Sequence, residues 1–359
     1  MNKKPSYIFS ADIIRDIAIF GVVSIHIANA VYTRADFFGG MTWWATIVID
    51  SLSRISIPLF IMLSGYLMLG KDESFEQSLK RIFHRIAIPL AFWFTFYIWY
   101  GGGLPSLRHF NSHVLPNAFL GNMYHLYFLV IIIGLYFMAP LIRSFLRTHK
   151  ASSNEFATKT FLILGAVLVA FQFVFQACGY ENFFTKWIPY TGLFIAGFIL
   201  GNKSDSFGRN KLLALYLLGF TVTLVGNYFQ YSLAGANYSF LSSRGCLSHY
   251  TDHYLSVNVV IMSISAFLLL LNLRYTWLKN SILSSSLVHS IARASFGIYI
   301  IHPFVARFLE MQFHLAVDFS PLPLPVIIFS RLILVLFISY LITILLLRTP
   351  IVKLVFGAK

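Results

Sequence analysis

The sequence predicts an all-α integral membrane protein with about ten transmembrane helices and both termini in the cytoplasm. Three observations predict it. Of 359 residues, 58% are hydrophobic and only 11% charged, against roughly a quarter charged in a soluble domain. Apolar stretches near the ~20 residues needed to cross a bilayer recur along the whole chain. Lys and Arg gather in alternate connections between them.

The stretches lie near residues 9–32, 43–70, 86–102, 124–146, 158–178, 187–201, 211–232, 254–273, 290–312 and 324–347. The first is apolar but interrupted by acids, an arginine and a histidine. In the second, Pro58 and the group Ser64, Gly65 and Tyr66 predict a kinked, tightly packed helix, with Gly65 serving packing. The third is entered through a basic run, "KRIFHR". The sixth is short and carries Pro189, and the ninth carries His302 followed by Pro303.

Cytoplasmic loops carry the excess of Lys and Arg. With the N-terminus inside, inside segments hold nineteen of the 27 basic residues, outside segments five, and Arg15, Arg54 and Arg331 lie within spans. Most of the net charge of +14 is therefore a topology signal, and no soluble basic face for nucleic acid is found. The first apolar stretch is too long and too charged for a cleaved signal peptide. Loops are short and no internal repeat is visible, so residues 1–359 read as one membrane-embedded domain without a soluble part, its chemistry placed between or at the ends of helices. Cys178 and Cys246 both fall on the outer side, where a disulfide or two free thiols are the alternatives.

On a helix, Arg15 and His26 share one face about 16 Å apart, and Asp12 is placed to pair with Arg15 one turn away. Ionisable groups inside a bilayer are costly and mark function by default; a helix-to-helix hydrogen bond is the other reading of His26. Asp50 and Arg54 stand at the i, i+4 spacing of an ion pair, either neutralising each other or leaving Asp50 to orient a base on a neighbouring helix. Lys80, Arg81, His84 and Arg85 fall within little more than one turn, as a cytoplasmic anchor or as a clamp for a phosphorylated ligand. Arg307 and Glu310, one turn apart, read as a local pair. The histidines lack any paired-ligand motif, so no metal is expected.

Together these residues resemble acyltransferase family 3, the integral-membrane acyltransferases that modify bacterial surface glycans. The likeness covers essentially the whole chain and rests on "DIIRDIAIFGVVSIH", "SRISIPLFIMLSGYLM", "HLYFLVIIIGLYFMAPLI" and "SFGIYIIHP". It is similar to the stand-alone O-acetyltransferases of enterobacterial common antigen and other surface polysaccharides, which implies a multi-pass protein of the bacterial inner membrane. The resemblance implies acetyl-CoA as a donor from the cytoplasm and a glycan or lipid-linked saccharide as acceptor. It makes His26 the candidate general base, with Asp12, Arg15, Lys80, Arg81 and Arg85 on the donor side. The family's Arg-x-x-Arg maps imperfectly, because His84 occupies the place of its second arginine. His125 and His302 match family positions. Of the two readings of His302, a hydrogen bond across helices to a carbonyl that Pro303 leaves free outweighs acceptor binding.

The chemistry suits these residues. An imidazole that takes the proton of a sugar hydroxyl speeds its attack on a thioester. Arg54, Tyr66 or a backbone amide would steady the developing oxyanion, and Asp50 would hold His26 in one tautomer. With no nucleophile paired to His26, direct transfer is expected over an acyl-enzyme. A transporter or flippase of a lipid-linked sugar would use the same buried charges, but predicts no use of acetyl-CoA.

Overall fold

The computed structural model describes residues 8–100, 124–148, 163, 165–167, 185–233, 251–313, 315 and 323–357. Among them helices are the only regular structure. In chain order these are α1 (Phe9–Tyr32), α2 (Met41–Ser53), α3 (Ser56–Met68), α4 (Phe75–Ile82), a π-helical segment (Phe83–Ala87), α5 (Ile88–Tyr100) and α6 (Tyr127–Thr148). They continue as α7 (Thr191–Gly201), α8 (Arg209–Leu233), α9 (Val257–Asn272), α10 (Thr276–Asn280), α11 (Ile282–Phe313), α12 (Leu324–Leu346) and α13 (Pro350–Val355).

Within the described residues each expected stretch is largely helical; most of 158–178 and residues 101–102 lie outside them, as do Cys178 and Cys246. Among the described residues five helical stretches are long and apolar enough to cross a membrane: Met41–Met68, Phe75–Tyr100, Tyr127–Leu146, Arg209–Leu233 and Leu324–Leu346. α7 and α9 are apolar but shorter. Phe329, Ile333, Phe337, Leu341 and Leu345 form an exposed stripe along one side of α12. Such a continuous apolar face is what lipid, rather than water, would cover. The chain is a multi-pass membrane protein.

α1 runs through the middle of the bundle and touches α2, α3, α9, α11 and α12. Two prolines shape the elements around it. Pro58 cannot donate to the Arg54 carbonyl, so the second span breaks at Arg54 and Ile55, and Ser56 Oγ donates instead to Ser53 O at 2.5 Å. Pro89 likewise leaves the Arg85 carbonyl without its helical donor, and the turn ahead of it widens into the π-helical segment. The kink and the packing role expected of Gly65 are both found. A Cβ on Gly65 would lie 1.8 Å from Phe194 O, and one on Gly197 2.0 Å from Met62 O, so α3 and α7 cross with their backbones in contact.

Candidate functional site

A cavity of about 1840 Å³ lies between α1, α3, α4, α6, α11 and α13. Its lining carries the cations Arg15, Lys71, Lys80, Arg81, Arg85, Arg293 and Lys353 with the acids Asp12, Asp72 and Glu73 among them, an excess of positive charge that we call the basic mouth. The lining also has apolar walls, with Phe60, Leu63, Phe128, Leu129 and Ile132, and includes Tyr299.

At the basic mouth, the cap of α1 is tied down as the spacing predicted. Arg15 Nη1 donates to Asp12 Oδ1 at 2.5 Å, and the second carboxylate oxygen meets His289 Nδ1 of α11 at 2.9 Å. α4 begins with a full capping box, in which Ser74 Oγ accepts from Gln77 N and the Gln77 side chain accepts from Ser74 N. The donor-side cations predicted from sequence all line this one cavity, but they are not equally available. Arg81 is paired with Glu73, and Lys80 with Glu76 at 2.7 Å on the exposed side of the helix. Behind them, Arg143 of α6 is buried and holds the connection into α4. It donates to Glu73 O at 2.9 Å and to Ser78 Oγ at 2.8 Å, and stands 3.6 Å from the Glu73 carboxylate.

Lys71 carries a physical mark of this crowding. Burial first, then the neighbouring Arg81, Arg85 and Arg143, holds its ammonium pKa below the usual 10.5, with Glu73 pulling the other way. Below its folded pKa, Lys71 must stay charged in an unfavourable place, so the folded state is penalised. Between that value and 10.5 the unfolded chain binds the extra proton, and the penalty fades as pH rises. Lys71→Met is therefore expected to melt above the wild type at neutral pH and to lose that advantage toward pH 10.5. Melting curves in detergent across this range check it; an advantage that does not change with pH would contradict it.

Next to Tyr299 of the cavity wall, three histidines from three parts of the chain come together. The His26 ring of α1 stacks on His302 of α11, with centroids 5.1 Å apart and planes 25° from parallel. His125, just ahead of α6, meets His302 edge-on at 6.0 Å and Tyr97 of α5 at 4.8 Å. Tyr299 donates its hydroxyl to the His125 carbonyl, and its ring lies 6.1 Å from His302. The Tyr97 hydroxyl donates to Ile300 O at 2.7 Å. Tyr299 thus belongs both to the cavity wall and to the histidine cluster.

The carbonyl freed by Pro303 is that of Tyr299, and the Nδ1–H of His302 donates to it at 2.7 Å. The expected bond is made, but within α11 rather than across to a neighbour. Its Nδ1 also faces Ile298 O at 3.2 Å, so Nδ1 carries the proton and Nε2 is the acceptor. His302 Nε2 is buried and has no hydrogen-bond partner among the described residues. Among those residues no group of three His, Cys, Asp or Glu is arranged to hold a metal ion.

Of the two alternatives for Asp50, the structure shows a pair. Arg54 donates to both carboxylate oxygens, from Nε at 2.9 Å and from Nη2 at 2.8 Å. Nη2 also reaches the Tyr32 hydroxyl at 3.0 Å and Asp252 at 3.4 Å. Tyr66 is placed elsewhere, against Phe267 and Gly201 between α3, α7 and α9. Glu310 pairs with Arg331 of α12, not with Arg307. Arg331 is 3% exposed, and a buried guanidinium claims a carboxylate ahead of an exposed neighbour on the same helix.

A family model described as an acyltransferase domain matches residues 8–344. The chain belongs to acyltransferase family 3. No curated protein and no solved structure is matched in the same comparisons. For this family 3 acyltransferase, sequence reasoning singled out the three histidines but passed over Tyr97 and Tyr299, which hold them. In "FWFTFYIWY" one tyrosine among so many aromatics carries no signal, whereas Tyr299, one turn from His302 at i−3, could have been found by helical spacing.

Proposed function

We propose that this acyltransferase is a membrane O-acetyltransferase that transfers an acetyl group from cytoplasmic acetyl-CoA to a sugar hydroxyl of a bacterial surface polysaccharide or its lipid-linked precursor, in the inner membrane. The observation that carries this reading is one cavity whose lining combines an excess of cations with apolar walls and includes Tyr299, the tyrosine that touches the histidine cluster. The cations match the phosphates of the donor, and the apolar walls match its neutral acyl arm.

In this reading His26 accepts the proton of the attacking hydroxyl as the new C–O bond forms and the C–S bond breaks; that proton leaves with the thiol. Arg54, fixed by both oxygens of Asp50, is a donor for the developing oxyanion. His125 and His302 stand on the acceptor side. The donor is held by the basic mouth, with Asp12 and Arg15 closing the α1 wall.

Calorimetry with acetyl-CoA and the purified protein in detergent tests the reading. The wild type should bind, and Arg85→Gln should weaken binding about tenfold, the loss of one charge-assisted contact. A well-folded wild type that does not bind acetyl-CoA would shift the assignment to a transporter of lipid-linked sugar.

A further inference from the structure

The cations that face the cavity divide into those already balanced by acids and those that are not. Arg81 is held by Glu73, and Lys80 by Glu76. Arg85, Arg293 and Lys353 line the same cavity with no acid paired to them among the described residues, and they come from three separate elements: the π-helical segment, α11 and α13. Three like charges lining one cavity favour an anion within it.

The C-terminal segment is built into this wall. A Cβ on Gly357 would lie 2.3 Å from the Arg85 carbonyl, the one that Pro89 leaves without a helical donor, and the backbone there has φ +58°. Glycine alone tolerates both the contact and the conformation. Trp93 of α5 donates its Nε1–H to Val355 O at 2.9 Å, and its ring lies 5.5 Å from that of Phe356. The Phe356 edge also reaches within 3.1 Å of where a Cβ on Gly297 would stand, one turn beyond Arg293. Phe356, 4% exposed, therefore pins the end of α13 to α5, which continues the π-helical segment of Arg85, and to α11, which carries Arg293.

We infer that Arg293 and Lys353 join Arg85 as the grip on the phosphate-bearing part of the donor, while Arg81 is a positioning residue that keeps the mouth in shape. This rests on the proposed acyl-CoA donor and extends it. A diphosphate together with a phosphate monoester on the ribose supplies the several charges that three unbalanced cations can take. The balanced pair of Arg81 and Glu73 adds no net charge to the mouth.

Binding of CoA, dephospho-CoA and acetyl-pantetheine to the detergent-purified wild type, Arg293→Gln, Lys353→Gln and Lys353→Arg tests the inference. Arg293→Gln and Lys353→Gln should each weaken CoA binding about tenfold, and Lys353→Arg should restore most of it. Acetyl-pantetheine, which lacks these phosphates, should bind all four proteins alike, which separates a lost contact from a damaged fold. Wild-type CoA affinity in both glutamine variants would overturn the grip and leave the acyl-CoA donor standing. Loss of acetyl-pantetheine binding in step with CoA would also overturn it, and failure of the folded wild type to bind CoA would overturn both readings.

Discussion

Replacing His26 with glutamine is expected to lower the rate of acetyl transfer by about 10²- to 10⁴-fold, the range supplied by a well-placed general base, with little change in donor affinity. The split follows from geometry. His26 stacks on His302, and neither residue lines the cavity, whereas the cations that hold an anion do. Glutamine keeps a polar side chain of similar reach but cannot take up a proton at neutral pH. Turnover and calorimetric affinity measured on the same preparation check both halves. A rate near that of the wild type would remove His26 from the chemistry, and a parallel loss of affinity would assign it to binding.

The second large effect concerns stability. Asp50 is fully buried and takes two donors from Arg54, so Asp50→Ala leaves a guanidinium buried with, among the described residues, Asp252 at 3.4 Å as the one acid to balance it. Stripping one partner from a buried pair costs about 3–5 kcal/mol, whereas replacing both by apolar residues is often close to neutral. Asp50→Ala should therefore melt far below the wild type, and Asp50→Leu with Arg54→Leu should recover part of the loss, held back because buried Asp252 loses its contact with the guanidinium. If the double variant folds but fails to transfer, the Asp50–Arg54 pair serves the reaction beyond its structural role. Equal melting of single and double variants would mean that the pair adds little.

Much of this architecture was legible because the bilayer simplifies the code. Long apolar runs mark helices, and a shared face follows from a count of residues between Arg15 and His26. What escaped was the choice of partner. Arg143 reads in sequence as one more base at a helix end, yet it is buried and organises the turn into α4. Local spacing favoured Arg307 for Glu310, but tertiary packing brought Arg331 closer. Lys353 counts in sequence as one more basic residue of the inside segments, because nothing in its neighbours announces that Gly357 and Phe356 dock it against the wall of a cavity. Spacing rules see one helix at a time, and the costs that decide partners inside a bundle are set by burial across several.

The crossing of α3 and α7 has a dynamic meaning. With Gly65 against the Phe194 carbonyl and Gly197 against that of Met62, no side chains intervene between the two helices to act as rollers. Neither helix can turn or slide without one backbone striking the other. The face of the cavity carrying Leu63, Ser64 and Leu67 therefore behaves as a fixed keel. Any widening needed to admit and release a bulky guest falls to the other lining elements, among them α4, the widened turn before Pro89 and the short α13.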